Sequence, residues 1–338
     1  MCGIFLYKGQ KLNWESLEGD INLIRYRGPD NTHHEMIGND VLFSFHRLAI
    51  MGTTERGDQP MKHPNDDSLT LICNGEIYNY KDLAKKYNFN LVTGSDCEII
   101  LLLFKKFGIE KTVQELDGVF MFVILDEGTG QLFAGRDPMG VRPGFMGRDG
   151  EEIMIASEAK PLIKYCKEIS PFPPGTWWHS EKPNHFNSFF LYNGIQIQEK
   201  TEEDICVKIR SLLIESVKKR LMAEREIGCL LSGGLDSSLI SALVNKYYEG
   251  PKLNTFTIGL AGSTDLEYAQ TVADHLETNH HQIEVSESDF LNAIETVIYN
   301  IESYDTTTVR ASVGNYLVSK YISENSDCKV IFNGDGAD

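Results

Sequence analysis

Residues 227–244 read IGCLLSGGLDSSLISALV. An apolar run of strand length gives way to a Gly/Ser loop, and the loop to apolar positions at helical spacing, so the stretch predicts strand, tight turn and helix. That is the repeating unit of an α/β domain. The loop has the makings of an anion cradle: glycines let a backbone approach a ligand closely, serine hydroxyls donate, and a helix N-terminus adds oriented N–H groups and partial positive charge. It is not a Walker loop, because no lysine follows and Asp236 sits where phosphates would lie. An aspartate beside phosphate is repulsive unless a cation lies between, so Asp236 predicts Mg2+ bridging it to a nucleotide. A Ser/Gly-rich helix start with Asp236 in its first turn is the ordinary structural alternative.

Working outward, a helix from Glu203 to Leu221 precedes this unit, with Ile205, Ile209, Leu212, Leu213, Ser216 and Val217 on one face. Strand LNTFTIGL, a helix, strand HHQIEVS, two helices and strand KVIFNG follow it. Strands alternating with helices imply a doubly wound, mainly parallel sheet with helices on both sides. Loops at the carboxyl ends of such strands face one crevice, so Asp335 and Asp338, in GDGAD, are expected to converge with Asp236 on one magnesium. A Gly/Asp turn without function is the plain alternative.

From residue 2 to about 160 the pattern changes. Short apolar runs alternate with Gly and Asn turns: CGIFLY, VLFSFHRLAI, LTLICNGEIY, FMFVILDEGTGQLFAGRD and EIMIASE. The EGTG between two runs is a hairpin signal. One amphipathic helix is expected after Ser95, a plausible N-cap, carrying Cys97, Ile100, Leu101, Phe104 and Phe107 at helical spacing. An α+β layered domain follows. Residues 171–203 are rich in Pro, Asn and Ser and read as an arm and linker. Two domains are thus expected, 2–190 and 203–338, which suits a chain of 338 residues.

Charge and composition narrow the partners. The 32 basic against 49 acidic residues give a net charge of −17, which disfavours a polyanion and leaves no general reason to expect nucleic acid or a membrane surface. Neither a signal peptide nor a membrane span is visible, so a cytoplasmic protein is expected. Seven cysteines without CxxC pairing read as reduced thiols.

The chain opens MCGIFLYKG. Removal of Met1 would give Cys2 a thiol and a free α-amine on one residue, a nucleophile with its own base; near neutral pH each is partly in its reactive form. Four polar clusters lie next to apolar strand or helix starts, where loops normally carry function: RYRGPD (25–30), FHRLAI (45–50), CNGEIYN (73–79) and TGSDCE (93–98). With an N-terminal cysteine they resemble the class II glutamine amidotransferase domain, an N-terminal-nucleophile fold with an αββα sandwich. The resemblance implies that Cys2 attacks the side-chain amide of glutamine, and that Asn74 and Gly75 form an oxyanion hole. It also implies that Arg47, with Leu48, Ala49, Ile50 and Met51, receives the substrate carboxylate, while Asp96 and Glu76 receive its ammonium. Each has an ordinary reading as well: Arg47 paired with a structural carboxylate, Asn74 in a turn, Asp96 as a helix cap. Arg27 and Asp30 read as structural support.

SGGLDSS resembles the pyrophosphate loop of the ATP pyrophosphatases. Both halves together, with IESYDTTTVRASVGNYLVSKY (301–321), closely resemble the glutamine-hydrolysing asparagine synthetase family. The resemblance implies ATP contacts at Leu231, Ser232, Gly233, Gly234, Asp236, Ser237, Ser238, Ile258, Asn333 and Gly334. It implies aspartate contacts at Thr307, Thr308 and Arg310, and magnesium on Asp236 and Asp338. Glutamine, aspartate and ATP are then the small-molecule partners, and a homo-oligomer is compatible with it. Where that family usually reads Ser-Gly-Glu-Gly-Ser-Asp, this chain reads Asn-Gly-Asp-Gly-Ala-Asp at 333–338. Asp335 therefore sets a carboxylate one methylene short of the family glutamate, and slow adenylation is the expectation. Two alternatives are a glutaminase with an impaired synthetase half and a non-catalytic glutamine-binding or assembly module. Amidotransferases acting on sugar phosphates or phosphoribosyl pyrophosphate lack SGGLDSS, and a β-lactam-forming synthetase should lack an intact Cys2 site.

Overall fold

The computed structural model describes residues 1–190 and 201–335. The chain divides into two compact units, Met1–Gln196 and Ile197–Asp338. In the first, β1 (Gly3–Lys8), α1 (Trp14–Ile21), β2 (Asn31–Ile37), β3 (Val41–Arg47), β4 (Met61–His63) and β5 (Asp66–Ile77) lead to α2 (Tyr80–Tyr87) and α3 (Glu98–Glu115). There follow β6 (Gly118–Asp126), β7 (Gln131–Arg136), β8 (Phe145–Asp149), β9 (Glu152–Ala156), β10 (Glu168–Pro171), β11 (Thr176–His179) and β12 (Asn187–Ser188).

These strands form two antiparallel sheets, ordered β10-β8-β9-β1-β3-β2 and β12-β11-β7-β6-β5-β4. Alternation along β1 shows why they stack. Ile4 and Leu6 point to one face and meet Phe43, Phe45, Ile72, Met121 and Val123 in the core between the sheets. Phe5 and Tyr7 point the other way, onto Leu17 and Ile21 of α1. On the far side, α3 buries Ile99 to Leu103 and packs against β4, β5 and β11. The result is the expected αββα sandwich.

Three local expectations are refined. The cap of α3 is Cys97 rather than Ser95, whose Oγ instead accepts the Cys97 N–H at 3.3 Å. Gly108, at φ 76°, breaks the helix before Ile109, so the Phe107 side chain turns outward and is 38% exposed. The stretch read as an arm and linker supplies β11 and β12, an edge of the second sheet. Trp178 and Phe172 are fully buried there, and Trp178 Nε1 donates to the Pro183 carbonyl at 2.9 Å. The buried area of these aromatics outweighs the local proline and asparagine content. The EGTG hairpin joins β6 to β7.

The second unit contains α4 (Glu202–Arg220), β13 (Ile227–Leu230), α5 (Leu235–Tyr247), β14 (Asn254–Leu260), α6 (Thr264–Leu276), β15 (Asn279–Val285), α7 (Glu287–Ile301), α8 (Thr306–Asn325) and β16 (Val330–Phe332). Its four strands are all parallel, in the order β15-β14-β13-β16. Val217 of α4 and Val244 of α5 pack with Ile227 and Cys229. Phe256 meets Val318 and Ile322 of α8 in a separate cluster. Because β14 and β16 lie on opposite sides of β13, the strand order reverses there, which opens a crevice at the carboxyl ends of the strands.

Candidate active sites

In the first unit, one cavity is lined by Cys2, Arg47, Leu48, Ile50, Met51, Asn74, Gly75, Glu76 and Asp96. The chain's opening and three of the four polar clusters, FHRLAI, CNGEIYN and TGSDCE, thus meet, because β1, β3, β5 and α3 each have an end at the same place; RYRGPD supplies none of the lining. Ala49 stands outside the lining; its N–H goes to Asp30 Oδ2 at 2.9 Å. Met1 also lines the cavity, whose remaining volume of about 40 Å³ holds little more than a water.

Cys2 is half-buried, and its Sγ accepts the Leu48 N–H at 3.4 Å. Burial pushes the thiol above its ordinary value, opposed by the neighbouring terminal amine, the Leu48 N–H and Arg142. The terminal amine, on Met1 in this chain, moves the other way, down to about 6. Burial is the main cause; Arg142 and Arg27 also lower it, while Cys2 and Glu76 oppose the shift. At neutral pH this leaves a protonated thiol beside a largely unprotonated Met1 amine; the Cys2 α-amine expected from the sequence exists only once Met1 is removed.

Asn74 is 1% exposed, and its Nδ2 finds no hydrogen-bond partner among the described residues. An unpaired buried donor costs about 1–3 kcal/mol, and this one is free to donate to a ligand oxygen. Gly75 follows it on β5. A Cβ there would lie 2.8 Å from both the Phe120 Cβ and the Val119 carbonyl, so glycine alone lets β5 and β6 close at this point. Asp96 is buried and accepts the Ile77 N–H at 2.6 Å; burial, aided by the charge of Glu76, raises its carboxyl to about 7. Glu76 and Asp96 line the cavity together. Arg47 is already engaged: it pairs with Asp58, and its Nη atoms donate to the carbonyls of Thr54, at 2.9 Å, and of Gly52. To hold a substrate carboxylate it must exchange one of these partners or use Nε.

In the second unit, a pocket of about 370 Å³ opens at the ends of β13, β14 and β16, lined by Leu231, Ser232, Gly234, Asp236, Ser237, Ile258, Asn333, Gly334 and Asp335. The Ser232 and Ser237 hydroxyls are 2.8 Å apart, and Ser232 Oγ accepts the Gly234 N–H at 3.3 Å, which folds the loop back over the start of α5. Gly234 caps α5 without a side-chain acceptor, leaving the N-terminal N–H groups for a ligand. Gly233, at φ 79°, lies against α6, and Ser238 Oγ is buried without a partner; neither lines the pocket. A Cβ on Gly334 would be 2.6 Å from the Ser237 nitrogen, so this turn rests directly on the first turn of α5 and brings Asp335 to the same pocket as Asp236. Asn333 Nδ2 donates to Asp335 Oδ2 at 3.0 Å. Asp338 lies outside the described residues.

Thr307, Thr308 and Arg310 occupy the exposed first turn and a half of α8, outside that pocket. Asp305 caps the helix by accepting the Thr308 N–H and hydroxyl, both at 2.8 Å, which is the ordinary reading of a threonine cluster.

Several lining residues escape sequence reading. Arg142, Cys73, Cys97 and Gln59 join the first cavity; Phe256, Thr257, Asn315 and Val318 join the second pocket.

Comparison with known proteins agrees with this geometry. The glutamine amidotransferase domain family matches residues 1–174, and the asparagine synthase family matches residues 208–338. A probable glutamine-hydrolyzing asparagine synthetase of Acanthamoeba polyphaga mimivirus is 40% identical over 367 residues, and the glutamine-hydrolyzing asparagine synthetase of Homo sapiens is 40% identical over 377. That of Bos taurus is 41% identical over 372 residues. Each alignment covers all of this chain and 66% of the relative's length. The chain therefore belongs to the glutamine-hydrolysing asparagine synthetase family, with a glutamine amidotransferase domain over residues 1–174 and an asparagine synthase domain match over residues 208–338.

Proposed function

We propose that the protein hydrolyses glutamine at Cys2 and uses the ammonia to convert aspartate to asparagine at the expense of ATP. The observation that carries this is the convergence of the Cys2 sulfur, the unpartnered Asn74 amide, Gly75 and the Asp96–Glu76 pair in one cavity. The Cys2 sulfur attacks the glutamine side-chain carbonyl while its proton passes to the adjacent amine. The carbonyl oxygen becomes an oxyanion that accepts hydrogen bonds from Asn74 Nδ2 and the Gly75 N–H, donors held in place before the reaction begins. Collapse returns the proton to the departing nitrogen as ammonia, and water releases glutamate from the thioester. Met1 narrows the cavity, which supports its removal before glutamine binds.

In the second unit the N–H groups at the start of α5 and the hydroxyls of Ser232 and Ser237 would hold phosphate oxygens of ATP, with Leu231 and Ile258 against the nucleoside. Two carboxylates in one pocket fit magnesium, which usually takes one or two from the protein and the rest from phosphate and water; Asp236 and Asp335 would hold it. The ion would screen the charge between them and the triphosphate. Attack of the aspartate side-chain carboxylate on the α-phosphorus releases pyrophosphate, and ammonia then displaces AMP from the acyl carbon. Seven free thiols support a reducing, cytoplasmic setting.

The test supplies aspartate, ATP and magnesium with either glutamine or ammonium, and follows glutamate, asparagine and pyrophosphate. Aspartate-dependent pyrophosphate release is expected with both nitrogen donors. Glutamate alone would leave a glutaminase, and neither product would leave a binding module.

A further inference from the structure

Arg142 lines the same cavity as Cys2, Asn74 and Asp96, on a loop that is built to hold it still. Asp137, itself buried, accepts the N–H groups of Phe120, Met139, Val141 and Arg142 at 2.9–3.2 Å. From the other side, Arg136 donates to the carbonyls of Arg142 and Gly140, each at 2.7 Å. The guanidinium this loop delivers bonds to Glu76 Oε1 through Nη2 at 2.9 Å, while its Nε is buried and has no partner among the described residues. Glu76 directly follows the Asn74–Gly75 donors on β5.

We propose that Arg142 is a positioning residue of the glutamine site, fixing the Glu76 carboxylate for the substrate ammonium and setting a positive charge beside the Cys2 thiol and the terminal amine. Without it, Glu76 and Asp96 would be two carboxylates in one small cavity with no cation paired to Glu76. With it, the Glu76 carboxylate is paired and aimed. The same charge disfavours the protonated amine and, against the larger effect of burial, favours the thiolate. The charged and titratable groups facing the sulfur and amine are Arg27, whose Nε donates to the Cys2 carbonyl at 3.0 Å, Arg47, Cys73, Glu76, Asp96, Cys97 and Arg142. Arg27 pairs with Glu158 at 2.7 Å and Arg47 with Asp58, as Arg142 pairs with Glu76, and of these three cations Arg142 is the one that acts on both the thiol and the amine.

The substrate part of this rests on the glutaminase reading; the thiol part does not. The test uses the full chain and two readouts on R142Q, R142K and E76Q. The first is the pH dependence of Cys2 alkylation by iodoacetamide, followed on the N-terminal peptide by mass spectrometry. The second is KM for glutamine. For R142Q the acid limb of alkylation should move up by about 0.5–1 pH unit, since loss of a nearby cation makes thiol and ammonium harder to deprotonate. E76Q should move it down, and R142K, which keeps the charge, should leave it in place. KM should rise about tenfold in both R142Q and R142K, because lysine cannot reproduce the planar Arg–carboxylate geometry. A folded R142Q with the wild-type limb, or with KM within about twofold of wild type, overturns the proposal. If R142Q fails to fold, an E76Q limb that stays put or moves up overturns it instead.

Discussion

Asp96 shows what burial does to a single carboxylate. Its folded value of about 7 lies above the ordinary value near 3.9, so its contribution to stability is fully present at low pH and is lost as the pH rises from about 4 to about 7. Asp96→Asn has nothing to titrate in that window. Its melting temperature relative to wild type should therefore improve between pH 4.5 and pH 7.5, as thermal melts at both values will read. If Asp96 receives the glutamine ammonium as proposed, binding needs the ionised form, so wild-type KM should fall as pH rises through about 7, and the variant should lose that dependence. Cys2→Ala should reduce glutamate production to the uncatalysed level while leaving the melting temperature nearly unchanged, checked by coupled glutamate assay and calorimetry. At Gly75 the expectation is structural: an added methyl meets Phe120 and Val119 at 2.8 Å, so Gly75→Ala should cost about 2–3 kcal/mol in urea unfolding. These residues were singled out in the sequence because each sits in a compact motif that carries the amidotransferase resemblance. Arg142 was not, since its partner Glu76 is 66 residues away and RDPMGVRP reads locally as a turn.

Among the elements, the two loops that deliver charge are built in opposite ways. The 137–142 loop is stapled by one buried carboxylate with four N–H donors, so Asp137→Ala should cost about 3 kcal/mol or more and drop the Arg142–Glu76 pair with it. Urea unfolding gives the first effect and the KM for glutamine the second. The SGGLDSS loop depends instead on having no side chain. Gly233 has φ 79°, and a Cβ would lie 2.6 Å from the Ala269 nitrogen, so Gly233→Ala should shift the loop and weaken ATP binding about tenfold or more by titration calorimetry. Strand, loop and helix were readable there because glycine, serine and apolar spacing mark them locally. The edge strands after residue 171 were not, because Pro, Asn and Ser describe the local chain while Trp178 and Phe172 answer to a core formed by distant strands.

For the whole molecule, two separate cores imply two separable stabilities. Calorimetry should show two transitions, and magnesium-ATP at about a hundred times its dissociation constant should raise one of them by about 2.7 kcal/mol while leaving the other in place. A single transition shifted as a unit would contradict this. The strand–helix alternation of the second unit, the Gly/Ser turn after β13, and Cys2 with three of its polar clusters were marked in the amino-acid sequence, because periodicity, glycine and charge act over a few residues; the short helices α1 and α2 were not. Tertiary structure alone decided that Arg142 reaches Glu76, that the Gly334 turn rests on α5 and carries Asp335 to Asp236, that Arg47 is already committed to Asp58, and that Met1 narrows the cavity. Those outcomes depend on which surfaces close-pack, and packing is settled among residues far apart in the chain.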